Sequence, residues 1–368
     1  MGWVGNDSGS WQPNETTHAM KDLTLDRATF GSLGFGSAAL GNLYAPISDE
    51  AARGAVREAV DSGFEYFDTA PHYGFGLSEK RLGAALRSES ELIVSTKVGR
   101  KLAPRSNIDL SRPRQGFVTP EPFESEFDYT YDSVMRTYED SLRRLQRERV
   151  DILYVHDIGR ATHGDDHPRR LREFMEGGYR ALRELRASGA VGAIGIGVNE
   201  WEVGEEALGH ADFDVVLLAG RYTLLEQGAL DTFLPLCAKR GVRVIVGGPY
   251  NSGILATGVG GSPDVGQPTD VGKAGIAHYN YTAAGPEIIA RVASIQEICA
   301  SHSVPLAAAA LQFPLAHPQV LCVVAGFASS DEVARAVDYE RQPIPPSLWS
   351  DLRTAGLIRA DAPVPIML

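Results

Sequence analysis

The chain has 368 residues with 35 Lys plus Arg against 47 Asp plus Glu, a net charge of −12, so a nucleic-acid partner, which needs a basic face, is not expected. At 43% hydrophobic, 22% charged and 8% aromatic, the composition excludes a disordered or fibrous chain and allows a sizeable core. Cys237, Cys299 and Cys322 lie far apart, fit no metal spacing and leave an odd one over, which points to reduced thiols and a cytoplasmic location.

Residues 1–20 carry no charged-then-apolar leader pattern and read as a mobile extension, in which the acceptor triplet at Asn14 is a chance match. Residues 21–368 read as one domain. No apolar run approaches the roughly 18 residues of a membrane span, so no membrane partner is expected. The segment from Leu23 reads as a hairpin plugging one end of that domain.

From Leu33 onward, apolar runs alternate with amphipathic helical stretches. Strands are predicted at LGFGSAAL from Leu33, FEYFDTA from Phe64, LIVSTKV from Leu92 and VDILYVHD from Val150. Four more are predicted at AVGAIGIGV from Ala190, DVVLLAG from Asp214, VRVIVGGP from Val242 and VLCVVAG from Val320. They are continuously apolar, as strands covered on both faces are. Between them, Ser48 reads as an N-cap before the stripe Ala52, Val56, Ala59 and Val60, with Gly63 in the left-handed position that ends the helix. Thr130 opens a second helix with Val134, Tyr138, Leu142 and Leu145 on one side. Strand then helix, about eight times, is an α/β (β/α)8 TIM barrel. An open doubly wound sheet is the alternative, and the absence of GxGxxG after the first strand counts against it. Two long connections, Gly99 to Asp128 and Tyr250 to Gly285, come after strand ends on the face where barrels keep their sites, and read as pocket walls.

Ionisable residues fall at three successive strand ends: Asp68, Lys97 and His156, with Tyr73 five residues after Asp68. A tyrosine hydroxyl titrating near pH 10 is a poor acid or base until an ammonium stabilises its phenolate. Lys97 supplies that charge, Asp68 keeps the lysine ionised, and His156 orients the substrate oxygen or relays the proton. The chemistry that fits is nicotinamide-dependent interconversion of carbonyl and alcohol. A Schiff base on Lys97, with Tyr73 as proton shuttle, is a second reading of the same residues.

The motifs FDTAPHYGFGLSEKRLG, STKVGR and DILYVHD resemble the aldo-keto reductase superfamily, from about Leu23 to Pro365. AGRYTLLEQ, GGPYNSGILATG and LAAAALQFPLAHP are similar to its branch of aldose and pyridoxal dehydrogenases. The resemblance implies that Asp68, Tyr73, Lys97 and His156 are the catalytic tetrad, with Tyr73 the acid/base. It further implies that Tyr222 stacks on the nicotinamide and Asn199 holds its carboxamide, while Ala219 stands where the family has a glutamine. Ser37 and Asp68 are also expected at the dinucleotide, and its pyrophosphate on Gly248, Tyr250, Asn251, Ser252 and Gly253. Around the turn after the eighth strand, Gly326, Phe327 and Glu332 stand where members preferring a 2′-phosphate carry Lys and Arg, which favours NAD over NADP.

The implied activity is oxidation of the anomeric hydroxyl of a free aldose, of the L-fucose, D-arabinose or L-galactose type, to a lactone. Pyridoxal oxidised to 4-pyridoxolactone is the alternative substrate, and a dinucleotide-binding sensor the alternative of another class. His72, Phe117, Phe123 and Trp201 are expected against the substrate. No metal is expected: His163 and His167 lack a third ligand and read as a solvated loop, and Arg143, Arg144 and Arg147 as a solvated helix side. The sequence leaves the oligomeric state open.

Overall fold

The computed structural model describes residues 23–110, 112–119, 121–259, 277–280 and 282–366; the expected extension at 1–20 and most of the glycine-rich run 258–272 lie outside them. Eight parallel strands close into a barrel: β1 (Leu33–Gly36), β2 (Tyr66–Asp68), β3 (Ile93–Val98), β4 (Ile152–His156), β5 (Ala193–Val198), β6 (Val215–Ala219), β7 (Arg243–Gly247) and β8 (Val320–Gly326), with β8 returning to pair with β1. Every predicted strand is present, trimmed at its ends.

Register sets which side chains point inward. Asp68 pairs with Ser95, Lys97 with Tyr154 and His156 with Gly197. Each step to the next strand therefore climbs two residues, as strand tilt in a closed barrel requires. Inside, Tyr66, Ile93, Ile152, Tyr154, Val215, Leu217 and Ile245 pack into one buried cluster with Phe30 at its foot. Outside, helices cover the strands and build the larger core.

The helix signals hold. Ser48 accepts from Ala51 N ahead of the helix Asp49–Asp61, and Gly63 comes just after it at φ +87°. Thr130 accepts from Ser133 N ahead of Tyr131–Leu145, each such cap contributing about 1 kcal/mol. Two expectations change. The segment from Leu23 is not a hairpin but a single helical turn, Arg27–Phe30, because the Asp26 carboxylate takes the Thr29 amide and Gly31 at φ +68° ends the turn at once. It still plugs the barrel, with Phe30 against Tyr66 and Arg27 donating to the carbonyls of Val320 and His317. The connection after β3 is not plain loop either: Arg100–Pro104 and Phe123–Phe127 pair antiparallel as a hairpin over the barrel mouth.

No single helix among the described residues is long and apolar enough to cross a membrane; the pair Pro286–Ser301 and Leu306–Ala316 passes on length and composition but is bent by 101°.

Candidate active site

The four expected residues converge. Lys97 Nζ donates to Asp68 Oδ2 at 2.6 Å, to the Thr69 carbonyl at 2.8 Å and to the Tyr73 hydroxyl at 3.2 Å. The Tyr73 and His156 rings stand 6.0 Å apart at 87°. Tyr73 reaches this point because the backbone after it turns left-handed at Gly74, Phe75 and Gly76. There Gly74 and Gly41 touch backbone to backbone, and a Cβ on Gly74 would lie 2.4 Å from the Gly41 carbonyl oxygen.

Burial pulls against the Lys97 ammonium, but Asp68 and Tyr73 outweigh it and its pKa ends above the ordinary lysine value. Burial likewise pushes the Asp68 carboxyl up, while Lys97 and Ser95 Oγ, donating to Oδ1 at 2.7 Å, hold it ionised. Breaking such a pair leaves an uncompensated buried charge, at a cost of about 3–5 kcal/mol. Below it a polar chain runs into the barrel, from Ser95 to Tyr66 at 2.7 Å and on to Tyr154 at 3.1 Å.

Two imidazoles line the mouth, His156 and His72, with ring centres 6.2 Å apart. Burial first, then Arg100 and Lys97 at His72 and Lys97 and Arg100 at His156, depress the pKa of both well below the usual histidine value, so both are neutral bases at neutral pH. Phe117, from the loop between the hairpin strands, closes the wall at 5.2 Å from His72 and 6.3 Å from Tyr73. Of the other aromatics expected here, Phe123 sits opposite Pro104 at the start of the returning hairpin strand. Trp201 stands ahead of the helix Glu202–His210 with its indole beside Gly228. Neither shows a ring contact with the tetrad.

Sequence reasoning passed over a charge pair beside these rings. Arg100 Nη1 donates to Asp157 Oδ2 at 2.8 Å, and the same carboxylate oxygen lies 3.5 Å from His156 Nε2. Its other oxygen accepts from Asn199 Nδ2 at 3.3 Å. The signal was present in the motifs themselves, since Arg100 ends STKVGR and Asp157 ends DILYVHD.

The other half of the mouth is bare. Gly36, Gly220, Gly248 and Gly326 stand at or just after the ends of β1, β6, β7 and β8. A Cβ on Gly220, Gly248 or Gly326 would meet nothing nearer than 3.5, 3.8 and 3.9 Å. A flat group fits over these positions, and the nicotinamide and ribose of a dinucleotide are such groups.

Several of the residues expected at the cofactor are engaged within the protein. Tyr222 is fully buried, packed on Phe313 and His317, and offers no face to a nicotinamide, because the chain after Gly220 turns outward into the helix layer. The Ser37 hydroxyl is used internally, donating to the Asp68 carbonyl and receiving from Ser78. Glu332 is committed to helix capping: Ser329 Oγ takes the Glu332 amide and Glu332 Oε2 takes the Ala328 amide. Phe327 is core, packed on Phe35 and Phe64. In the expected pyrophosphate loop, Tyr250 packs on the core and Asn251 is fully engaged, donating to the Gly220 carbonyl and accepting from Thr223. Asn251, Ser252 and Gly253 are all left-handed, at φ +45°, +61° and +97°, so any anion contact there falls to backbone and Ser252 rather than to the Asn251 amide.

Among the described residues no group of three or more His, Cys, Asp or Glu converges as metal ligands. His163 pairs with Tyr129, and His167 is buried between the Ile158 carbonyl and Glu206, so it is not part of a solvated loop. Nor is the arginine face simply solvated: Arg144 donates to the buried Glu79 at 2.6 Å and Arg147 to the carbonyl of Glu89 at 2.5 Å.

A closed parallel barrel with a buried Asp–Lys pair hydrogen-bonded to a tyrosine at its mouth fits an oxidoreductase of carbonyls and alcohols. The aldo/keto reductase family model matches residues 32–356, and the chain belongs to that family. It is 42% identical to pyridoxal 4-dehydrogenase of Microbacterium luteolum, over 90% of this chain and 95% of that protein. It is 38% identical to D-threo-aldose 1-dehydrogenase of a Pseudomonas species, over 89% and 94%. An aldo-keto reductase from Bacillus halodurans, solved in its holo form, superposes with a TM-score of 0.65 at 26% identity, covering 90% of this chain and 93% of that one.

Proposed function

We propose that this single-domain enzyme oxidises a cyclic hemiacetal to its lactone with NAD as acceptor. What carries the reading is Lys97 Nζ held between the Asp68 carboxylate, at 2.6 Å, and the Tyr73 hydroxyl, at 3.2 Å. A bound nicotinamide dinucleotide supplies the hydride acceptor. Tyr73 takes the hydroxyl proton of the substrate while Lys97 stabilises negative charge on the tyrosine oxygen, and Asp68 keeps Lys97 charged. His156, neutral, borders the same substrate oxygen and fixes the angle of attack. Phe117 and His72 exclude water from one side.

Of the two substrate classes that resemblance implies, the rings of Phe117, His72 and Tyr73 favour the flat pyridine of pyridoxal. The aldose reading is favoured instead by the polar character of the same wall, where His72 and His156 stand beside the Arg100–Asp157 pair. For the cofactor, Asp331 and Glu332 in the first turn of the helix Ser330–Arg341 disfavour a 2′-phosphate and support NAD over NADP. Asn199 holds the carboxamide, and the backbone of Gly248, Ser252 and Gly253 receives the pyrophosphate. The test is absorbance at 340 nm with NAD and, in parallel, pyridoxal, L-fucose, D-arabinose and L-galactose. Reduction with pyridoxal alone selects the first class, reduction with a sugar the second. Binding of the dinucleotide without turnover on any of them points instead to a sensor or to a substrate outside both classes.

A further inference from the structure

Asp157 is an unusual place for a carboxylate. It comes directly after His156, is buried, and its backbone is left-handed at φ +52°, a conformation that persists in a non-glycine residue only when its surroundings impose it. They do so here: its amide donates to the Gly197 carbonyl at 3.0 Å, and the Tyr129 hydroxyl lies 3.0 and 3.1 Å from the carbonyl oxygens of His156 and Asp157. Arg100, itself braced by Gln115 and Ser125 and stacked 4.7 Å over Phe127, completes the clamp on Oδ2.

The second oxygen carries the consequence. An ionised carboxylate only accepts, so the group of Asn199 that faces Asp157 Oδ1 is the amide nitrogen. The Asn199 carbonyl oxygen must then face the other way, and no partner for it is seen among the described residues. Asn199 is itself pinned by Arg221, whose Nε donates to its backbone carbonyl at 2.8 Å. Burial pushes the Asp157 carboxyl up, and Arg100 opposes this, keeping it an acceptor.

We propose that Asp157, held by Arg100, is a positioning residue that orients the Asn199 amide so that its oxygen receives the N–H of the nicotinamide carboxamide. The same carboxylate borders His156, so one group sets both the cofactor ring and the imidazole that holds the substrate oxygen. This rests on the reading of Asn199 as the carboxamide partner. Asp157 touches neither reacting atom and acts through its neighbours.

The test uses a cofactor that cannot make the contact: 3-acetylpyridine adenine dinucleotide keeps the carbonyl but replaces the amide nitrogen with a methyl group. Dissociation constants for it and for NAD are measured by titration calorimetry on the wild type, on Asp157→Asn, and on the double variant Arg100→Gln/Asp157→Asn, which removes the charge pair without leaving an unpaired arginine. The wild type should prefer NAD by roughly tenfold, the value of one good hydrogen bond. In both variants the preference should fall to about twofold or less, because an amide at 157 no longer dictates which end of Asn199 faces it. A wild type that does not discriminate, or a double variant that binds NAD and keeps the full preference, overturns the role of Asp157 and leaves the dehydrogenase reading standing. A wild type that binds neither dinucleotide overturns that reading, and this proposal with it.

Discussion

The two halves of the barrel mouth are built to opposite rules. Around the ends of β2 to β5 stand the polar side chains Asp68, Lys97, His156 and Asn199, held by one another or by their neighbours: Asp68 to Lys97, Lys97 to Tyr73, Asp157 to Asn199. At or just after the ends of β6, β7, β8 and β1 stand glycines, and at Gly220, Gly248 and Gly326 a Cβ would meet nothing nearer than 3.5 Å. The difference separates two tasks. Moving a proton needs charges fixed in advance, because a polar group that reorients during the reaction costs energy at the moment it is needed. Admitting a planar cofactor needs absence of side chains, which only glycine gives.

The sharpest way to break the polar half is to remove its proton carrier while keeping its shape. Tyr73→Phe should lower turnover by about 10²- to 10⁴-fold and leave dinucleotide affinity within about twofold, measured by initial rates at 340 nm and by calorimetry. Comparable turnover in this variant would mean that the proton leaves by another route. The bare half is broken by filling it. Gly326→Val adds a side chain where a Cβ would meet only the Gly36 carbonyl oxygen at 3.9 Å, so the barrel should fold with a melting temperature close to that of the wild type. Dinucleotide affinity should fall on the order of 10- to 100-fold, the cost of a bulk clash in a preformed site. If affinity holds while the melting temperature drops, the glycine serves packing rather than the cofactor.

The two halves were also unequally legible. Covered parallel strands are continuously apolar, so all eight stood out, and an ionisable residue ending such a run has few structural reasons to be there; this is why Asp68, Lys97 and His156 could be read directly. Tyr222 misled because nothing local records that the chain leaves the mouth after Gly220, which is a matter of how that loop meets Phe313. Asp157 and Arg100 lie 57 residues apart and become partners only because β3 and β4 pair with Val98 opposite Val155. Glu332 had a local signature, Ser329 three residues before it, and that short-range pattern, rather than the cofactor, turned out to hold its carboxylate.

A smaller, global effect comes from the imidazoles that folding withdraws from water. His317 is depressed to about 4, by burial first and then by Arg27, and His72 and His156 shift the same way. A histidine whose folded pKa lies below its unfolded value binds more protons when unfolded. Stability is therefore full above about pH 6.5, the ordinary histidine value, and declines as pH falls from there toward 4. Urea midpoints at pH 7.5, 6 and 5 should decrease in that order, and His317→Gln should flatten part of the slope. A midpoint that is level from 7.5 to 5 would mean that these rings are hydrated in solution.

The finest distinction is at the rim of the bare half, where charge decides which dinucleotide enters. The helix Ser330–Arg341 points its N-terminus at the end of β8, a favourable place for a phosphate, yet Asp331 and Glu332 occupy that first turn. Glu332→Gln keeps an oxygen to accept the Ala328 amide, so the cap survives while one negative charge goes. The ratio of NADP to NAD affinity should then rise about three- to tenfold, and more at low ionic strength than at high, because an exposed charge is screened over about 10 Å at 0.1 M salt. A rise without salt dependence would point to altered shape instead of charge. An unchanged ratio would place the adenosine ribose away from this turn.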